Sequence, residues 1–273
     1  WLLVRLSLRS VMAYNSAIEA RGVGDLSAID VRHLPSEIAP LACSVNQLLE
    51  RLRRALEAER SFTANSAHEL RTPLAASLAQ VQRLLSEVPA GKLQSRALQI
   101  EHSLQQLKRL SEKLMQLAKA EGGSLLATSP QNLLPLLVHV ADELGRTSQT
   151  PLNVQLPHSA AVYSSIDADA FAILLRNLLE NALKHGEAGQ PIDISLSDDL
   201  LLRISNASPV IPAAVLAQLR ERFVRGASQA QGSGLGLAIA AAIALGVGAR
   251  LQLASPATGR TDGFEVTVQL PRA

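Results

Sequence analysis

The stretch Phe62-Thr-Ala-Asn-Ser-Ala-His68-Glu69-Leu70-Arg-Thr72-Pro73-Leu74 decides how the rest of this chain is read. It sets an imidazole beside a carboxylate, four residues ahead of a hydroxyl, with a proline just beyond. An imidazole can accept a phosphoryl group when a neighbour takes its proton and its face is open. At about 100° per residue, Leu70, Leu74, Leu78, Val81 and Leu85 fall on one helical stripe. His68 then points roughly 120° from the centre of that stripe. Thr72 lies one turn below it on nearly the same face. Pro73 makes the phase approximate, because proline bends a helix. Two other readings of His68 compete. A packed core position is the commoner fate of a lone histidine, and the phase argues against it. A His-Glu-x-x-His zinc helix fails at its fifth residue, which is Thr72, and the single cysteine brings no other ligand cluster.

Outward from this stretch the chain reads as helix on both sides. Upstream, Ile38, Leu41, Val45, Leu48, Leu52 and Ala55 are spaced 3, 4, 3, 4 and 3. Such a 3.5-residue repeat demands a partner helix, so residues before 61 read as a coiled coil, with Glu59 as a polar break. Downstream, Pro89 and Gly91 mark a turn. A second helix follows, carrying Leu93, Ala97, Ile100, Leu104, Leu107, Leu114 and Ala118, with Ser111 at the missing seam position. Residues 61–121 are therefore predicted as a helical hairpin. Two such stripes cannot enclose a wide core alone, whereas two copies make a four-helix bundle, so a homodimer is expected.

Residues 125–273 change character. Helices are predicted over 133–144, 168–185 and 235–245. Strands are predicted over 152–156, 191–196, 200–205, 251–253 and 264–270. Mixed strands and helices imply an α/β sandwich. Within 168–185, Asn177 and Asn181 are one turn apart and face the same way, with Lys184 three residues on. An amide oxygen suits Mg²⁺, a hard cation, and a lysine can neutralise phosphate. The plainer reading is a polar helix face. Gly232-Ser-Gly234-Leu235-Gly236-Leu237 precedes the last predicted helix, where glycines let backbone amides approach phosphates. It is neither a Walker loop nor a dinucleotide fingerprint.

Composition sets bounds. The 273 residues allow two or three domains. Apolar residues are 47% and aromatics 3%, so the cores are aliphatic and suit long helices. A net charge of +2, with no basic run interleaved with aromatics, gives no case for direct nucleic-acid binding. The lone Cys43 excludes a disulfide framework and fits a reducing compartment. No segment approaches the ~20 apolar residues needed to cross a bilayer. The start at Trp1 without Met suggests a fragment. Trp1-Leu-Leu-Val-Arg5 reads either as the exit of a lost membrane helix or as the first turn of an amphipathic one.

Three runs in this order resemble the boxes of sensor histidine kinases. Residues 62–74 resemble the H-box, 177–185 the N-box and 232–237 the G2 box. Arg222-Phe223-Val-Arg225 resembles the F-box. Residues 1–60 are similar, more loosely, to a HAMP linker, through Gly24-Asp-Leu-Ser27, Leu34-Pro-Ser-Glu-Ile38 and Asn46-Gln-Leu-Leu49. The resemblance implies a HAMP-like linker over 1–60, a dimerisation and phosphotransfer hairpin over 61–121, and a GHKL (Bergerat) ATP-binding sandwich over 125–273. It implies ATP and Mg²⁺, with His68 as phosphoryl acceptor, Glu69 as proton acceptor and Thr72 orienting water for dephosphorylation of the partner. Asn181 is implied as the Mg²⁺ ligand. Asn177, Lys184, His185, Asn206, Arg225, Gly232, Gly234, Leu235, Gly236 and Leu237 are implied as ATP contacts, and Phe223 as a lid anchor. The partner implied is a response-regulator receiver domain. The implied setting is the cytoplasmic portion of an inner-membrane protein. One box departs from the pattern: Asn206, Ser208 and Val210 stand where the family has Asp, Gly and Gly. A neutral amide in place of a carboxylate implies weaker adenine recognition, by about 1 kcal/mol. The alternatives are a degenerate kinase acting as a scaffold or phosphatase, and a soluble ATPase of the same fold.

Overall fold

The computed structural model describes residues 27–28, 39–122, 125–148, 150–224 and 233–273, with backbone alone for 56–57, 59–60, 62–64 and 67–68. The expected linker motifs at 24–26 and 34–38 lie outside these residues. The chain divides into two compact units, Trp1–Phe62 and Thr63–Ala273. In the first, Leu41, Leu48 and Leu52 of the heptad are 61%, 67% and 48% exposed, as a seam without its partner must be.

Helix α1 (Ala39–Glu87) runs through Pro73 and ends two residues beyond the expected Leu85. Residues 88–91 turn the chain, and α2 (Lys92–Gly122) returns. Arg71 meets Met115 Sδ at 3.4 Å and Gln82 meets Glu101 Oε1 at 3.1 Å, so the hairpin is antiparallel. Leu74, Leu78, Val81 and Leu85 are half-buried along the predicted stripe, whereas Leu70 is exposed.

Beyond the hairpin, β1 (Leu126–Asn132) pairs with β3 (Tyr163–Ile166) in a two-stranded antiparallel ribbon. Neither strand was expected. Pro130 lies inside β1 and its register slips between Leu126 and Gln131, so no alternation marks it in sequence. The main sheet has the order β2-β4-β5-β7-β6, from β2 (Leu152–Gln155), β4 (Ile192–Leu196), β5 (Leu201–Asn206), β6 (Arg250–Ala254) and β7 (Phe264–Gln269). β2 and β4 are parallel and the other pairs antiparallel. Ile192, Ile194 and Leu196 alternate inward, as do Leu202 and Ile204.

Three helices complete the core: α3 (Leu133–Thr147), α4 (Ala168–His185) and α6 (Gly236–Gly246). Short α5 (Ala213–Gln218), also unexpected, buries no residue. Asp167 caps α4 by accepting from the Asp169 and Ala170 amides at 3.0 and 3.1 Å. Phe171, Leu174, Leu175, Leu178, Leu179 and Ala182 recur at helical spacing and are almost fully buried, which fixes the rotation of α4. Asn132 caps α3 in the same way, at 3.3 Å from the Leu134 amide. Arg176 of α4 grips Glu143 of α3 through two bonds of 3.1 and 2.6 Å, which holds the Glu143 carboxyl below the usual carboxylate range.

Candidate functional site

Once the leucine face of α4 is buried, its polar residues are placed. Asn177 is 1% exposed. Asn181, one turn on, is half-buried, and Lys184 is exposed. His185 is half-buried, and burial together with neighbouring Lys184 lowers its pKa, which favours a neutral imidazole. Gly186 then ends the helix, its amide bonding the Ala182 carbonyl at 2.8 Å.

Two other elements meet α4. At mid-helix, α6 starts against Asn177. A Cβ built on Gly236 would lie 3.6 Å from Asn177 Oδ1, so the first turn of α6 touches the amide directly. At the C-terminal end, β5 finishes beside Gly186. A Cβ there would lie 3.5 Å from Asn206 Cβ. The polar face of α4 thus runs from the glycine-rich turn at Asn177, past Asn181, to Asn206. At 1.5 Å per residue the span is about 14 Å, the scale of an extended nucleotide.

Asn206 is 1% exposed and gives one amide hydrogen to the Ala207 carbonyl at 3.1 Å. Ser208 is buried, and its hydroxyl has no hydrogen-bond partner among the described residues. Its carbonyl is used, accepting from the Gly263 amide at 2.7 Å.

The glycine-rich turn is braced from an unexpected side. Gly234 has φ +68 and Phe223 has φ +63. The Phe223 amide donates to the Gly234 carbonyl at 3.1 Å. A Cβ on Gly234 would stand 2.9 Å from the Phe223 backbone, so only glycine fits. Phe223 is 60% exposed, so its contact with the turn is made by its backbone and not by its ring. Leu235 and Leu237 bury their side chains in the core. Only their backbones can serve a ligand, at the start of α6, where unpaired amides favour anions. Arg225 and Gly232 lie outside the described residues.

On the hairpin, Glu69 and Thr72 are exposed on α1. His68 is helical, and the register set by Arg71 and Met115 brings it level with the turns of α2 that follow Met115. Those turns pack on α6, and Leu117 and Ala120 join the core. Lys113 of α2 bonds Asn177 Oδ1 and Glu180 Oε2, both at 2.7 Å, and Gln116 accepts from Asn177 at 3.3 Å. Arg222 pairs with Glu121. The sequence reading missed Lys113, Gln116 and Glu180. Only the (i, i+3) spacing of Lys113 and Gln116 on one face hinted at them.

The donors fit the groups they are expected to hold. A half-buried amide oxygen suits a hard divalent cation, and a helix start suits a polyphosphate. A concavity of about 380 Å³ between α3 and β2, lined by Asp142, Arg146 and Thr150 among others, includes none of these residues.

Comparison with known proteins matches three family models. They are "Sensor protein PhoQ-like, HAMP domain" at 14–54, "His Kinase A (phospho-acceptor) domain" at 58–123 and "Histidine kinase-, DNA gyrase B-, and HSP90-like ATPase" at 166–273. Sensor protein kinase PmrB of Pseudomonas aeruginosa is 33% identical over 238 residues, covering 85% of this chain and 50% of that protein. Sensor protein BasS of Escherichia coli is 33% identical over 241 residues, covering 84% and 63%. The chain thus spans between half and two thirds of the length of these relatives. Among solved structures, full-length ShkA in complex with AMPPNP has a TM-score of 0.59 at 24% identity, covering 78% of this chain and 46% of that one. The Acinetobacter baumannii histidine kinase AdeS has 0.50 at 22%, covering 75% and 97%. These two share the fold. Among the described residues, no helix is long and apolar enough to cross a membrane.

Proposed function

Since this chain belongs to the sensor histidine kinases, we propose that it transfers the γ-phosphoryl group of ATP to His68 and then to an aspartate of a response regulator. The observation that carries this reading is the polar face of α4. It joins the glycine-rich turn to the end of β5 and has Asn181 between them. α4 and α6 bind and orient the nucleotide, with the α6 amides and Lys184 on the phosphates and Asn206 at the base. The Asn181 amide oxygen would hold Mg²⁺, which would neutralise charge on the phosphates. Glu69 takes the proton from the His68 imidazole. A nitrogen–phosphorus bond forms at His68 as the β–γ bridging P–O bond breaks, and ADP leaves. In the second step the phosphoryl group moves from His68 nitrogen to the regulator's carboxylate oxygen. Positioning and electrostatics carry both steps. The domain limits proposed are 1–60, 61–121 and 125–273. The full protein is read as a membrane-embedded homodimer with this portion in the cytoplasm.

Thr72 is exposed on the same helix and is assigned to orient water against the regulator's aspartyl phosphate. The competing role is a bond to a carbonyl freed by Pro73. Incubation with labelled ATP tests both assignments. The unaltered chain should form an acid-labile phosphohistidine, absent in His68→Gln. Label that persists in that variant would remove His68 as the acceptor. Thr72→Ala should lose regulator dephosphorylation and keep autophosphorylation. Loss of both together would give Thr72 to the helix.

A second reading is favoured by one observation, the altered end of β5. With Asn206 bonded to Ala207 and the Ser208 hydroxyl unpartnered, the base site is weakened, and the chain would act mainly as a dimeric scaffold or phosphatase. Dephosphorylation of a regulator with no autophosphorylation would select it.

A further inference from the structure

The polar contacts between α2 and α4 leave Asn177 little to offer a ligand. A primary amide has two donor hydrogens and one acceptor oxygen. Both donors of Asn177 are taken, by the Ile173 carbonyl at 2.7 Å and by Gln116 Oε1 at 3.3 Å. Its oxygen holds the Lys113 ammonium at 2.7 Å. The same ammonium bonds Glu180 at 2.7 Å, the residue next to Asn181, and the Lys113 side chain is only 19% exposed. A charge-assisted bond in such a partly dry place is worth more than a surface pair. The hairpin helix thus occupies the first amide of the face assigned to the nucleotide.

The geometry points to Lys113 as a positioning residue that latches α2 onto α4, so that docking of α2 and binding of nucleotide compete for Asn177. This rests on the reading that α4 carries the nucleotide. Competition is a coupling free energy, and it is reciprocal: docking weakens nucleotide binding by the same factor by which nucleotide weakens docking. Lys113→Ala removes the cation while Leu117 and Ala120 stay in the core that α6 shares.

Calorimetric titration of the whole chain with Mg-ADP tests this. Lys113→Ala should tighten binding roughly fivefold or more, the usual lower range of such couplings. Lys113→Arg keeps a cationic donor for Asn177 and Glu180 and should leave the affinity near that of the unaltered chain. Thermal melting accompanies each variant. Simple damage to the fold would weaken binding, which is opposite in sign to release of a latch. Affinity that is unchanged or lowered by Lys113→Ala would overturn the proposal. Absence of binding in every form would overturn the nucleotide reading and the competition with it. Binding that ignores Lys113 would overturn the competition alone.

Discussion

Asn206 shows how one atom type changes a site. Its amide satisfies the Ala207 carbonyl, which a carboxylate could not do. Asn206→Asp should therefore act in two directions. Nucleotide should bind about 1 kcal/mol more tightly, near fivefold, through a charge-assisted bond to the base amino group. Folding stability should fall by a similar ~1 kcal/mol, because the Ala207 carbonyl loses its donor. Titration with Mg-ATP and a denaturant curve on the same preparation read the two effects separately. Tighter binding with no loss of stability would mean the Ala207 bond is unimportant, and no tightening would take Asn206 away from the base. The altered residue itself was legible in the sequence, since it interrupts an otherwise recognisable box. The bond to Ala207 was not, because a side chain that bonds the next carbonyl leaves no periodic trace. Lys113 was still less legible: its partner Asn177 lies 64 positions away, and no local pattern marks a contact of that range.

Elements were legible where their own residues fixed them. α4 keeps its expected bounds because Asp167 caps it and six apolar side chains repeat at helical spacing. The β1–β3 ribbon was lost because its pairing partners are distant and Pro130 breaks the pattern, so tertiary contact and not local preference makes it a strand. The turn before α6 belongs to both classes. Its glycines were evident, but their brace, the Phe223 backbone, was not. Gly234→Ala should demand that a methyl group enter a space 2.9 Å from that backbone, at φ +68. A cost above about 1 kcal/mol in stability is expected, since the conformation is incompatible with a side chain. Nucleotide affinity should drop with it, as the α6 amides shift. A variant that melts as before and binds as before would show that the turn yields without strain.

At the scale of the molecule, the hairpin leaves apolar surface uncovered. Leu93, Ile100 and Leu107 are 69%, 51% and 50% exposed and sit seven residues apart on α2. An aliphatic line with that repeat is the face of a helix seam, and a second copy of the chain is the partner that matches it. Sedimentation at micromolar concentration should give a dimer. Ile100→Glu should shift it to monomer while the unfolding of the sandwich, whose core lies elsewhere, is unchanged. A monomer before any substitution would count against the bundle. Sequence periodicity carried this expectation as far as it goes, since a repeat shows that a face needs cover but not at what angle.

The bond between the Phe223 amide and the Gly234 carbonyl closes a ring. The described backbone on either side of residues 225–232 is joined there at one fixed gate. The entropy of bringing their ends together is therefore met by the fold, before any nucleotide arrives. Closure entropy grows only with the logarithm of loop length, about 0.6 kcal/mol for each doubling. This segment is thus a natural place for insertions. Its length can drift, or a reporter can be spliced into it, while the gate keeps the sheet and α6 in register.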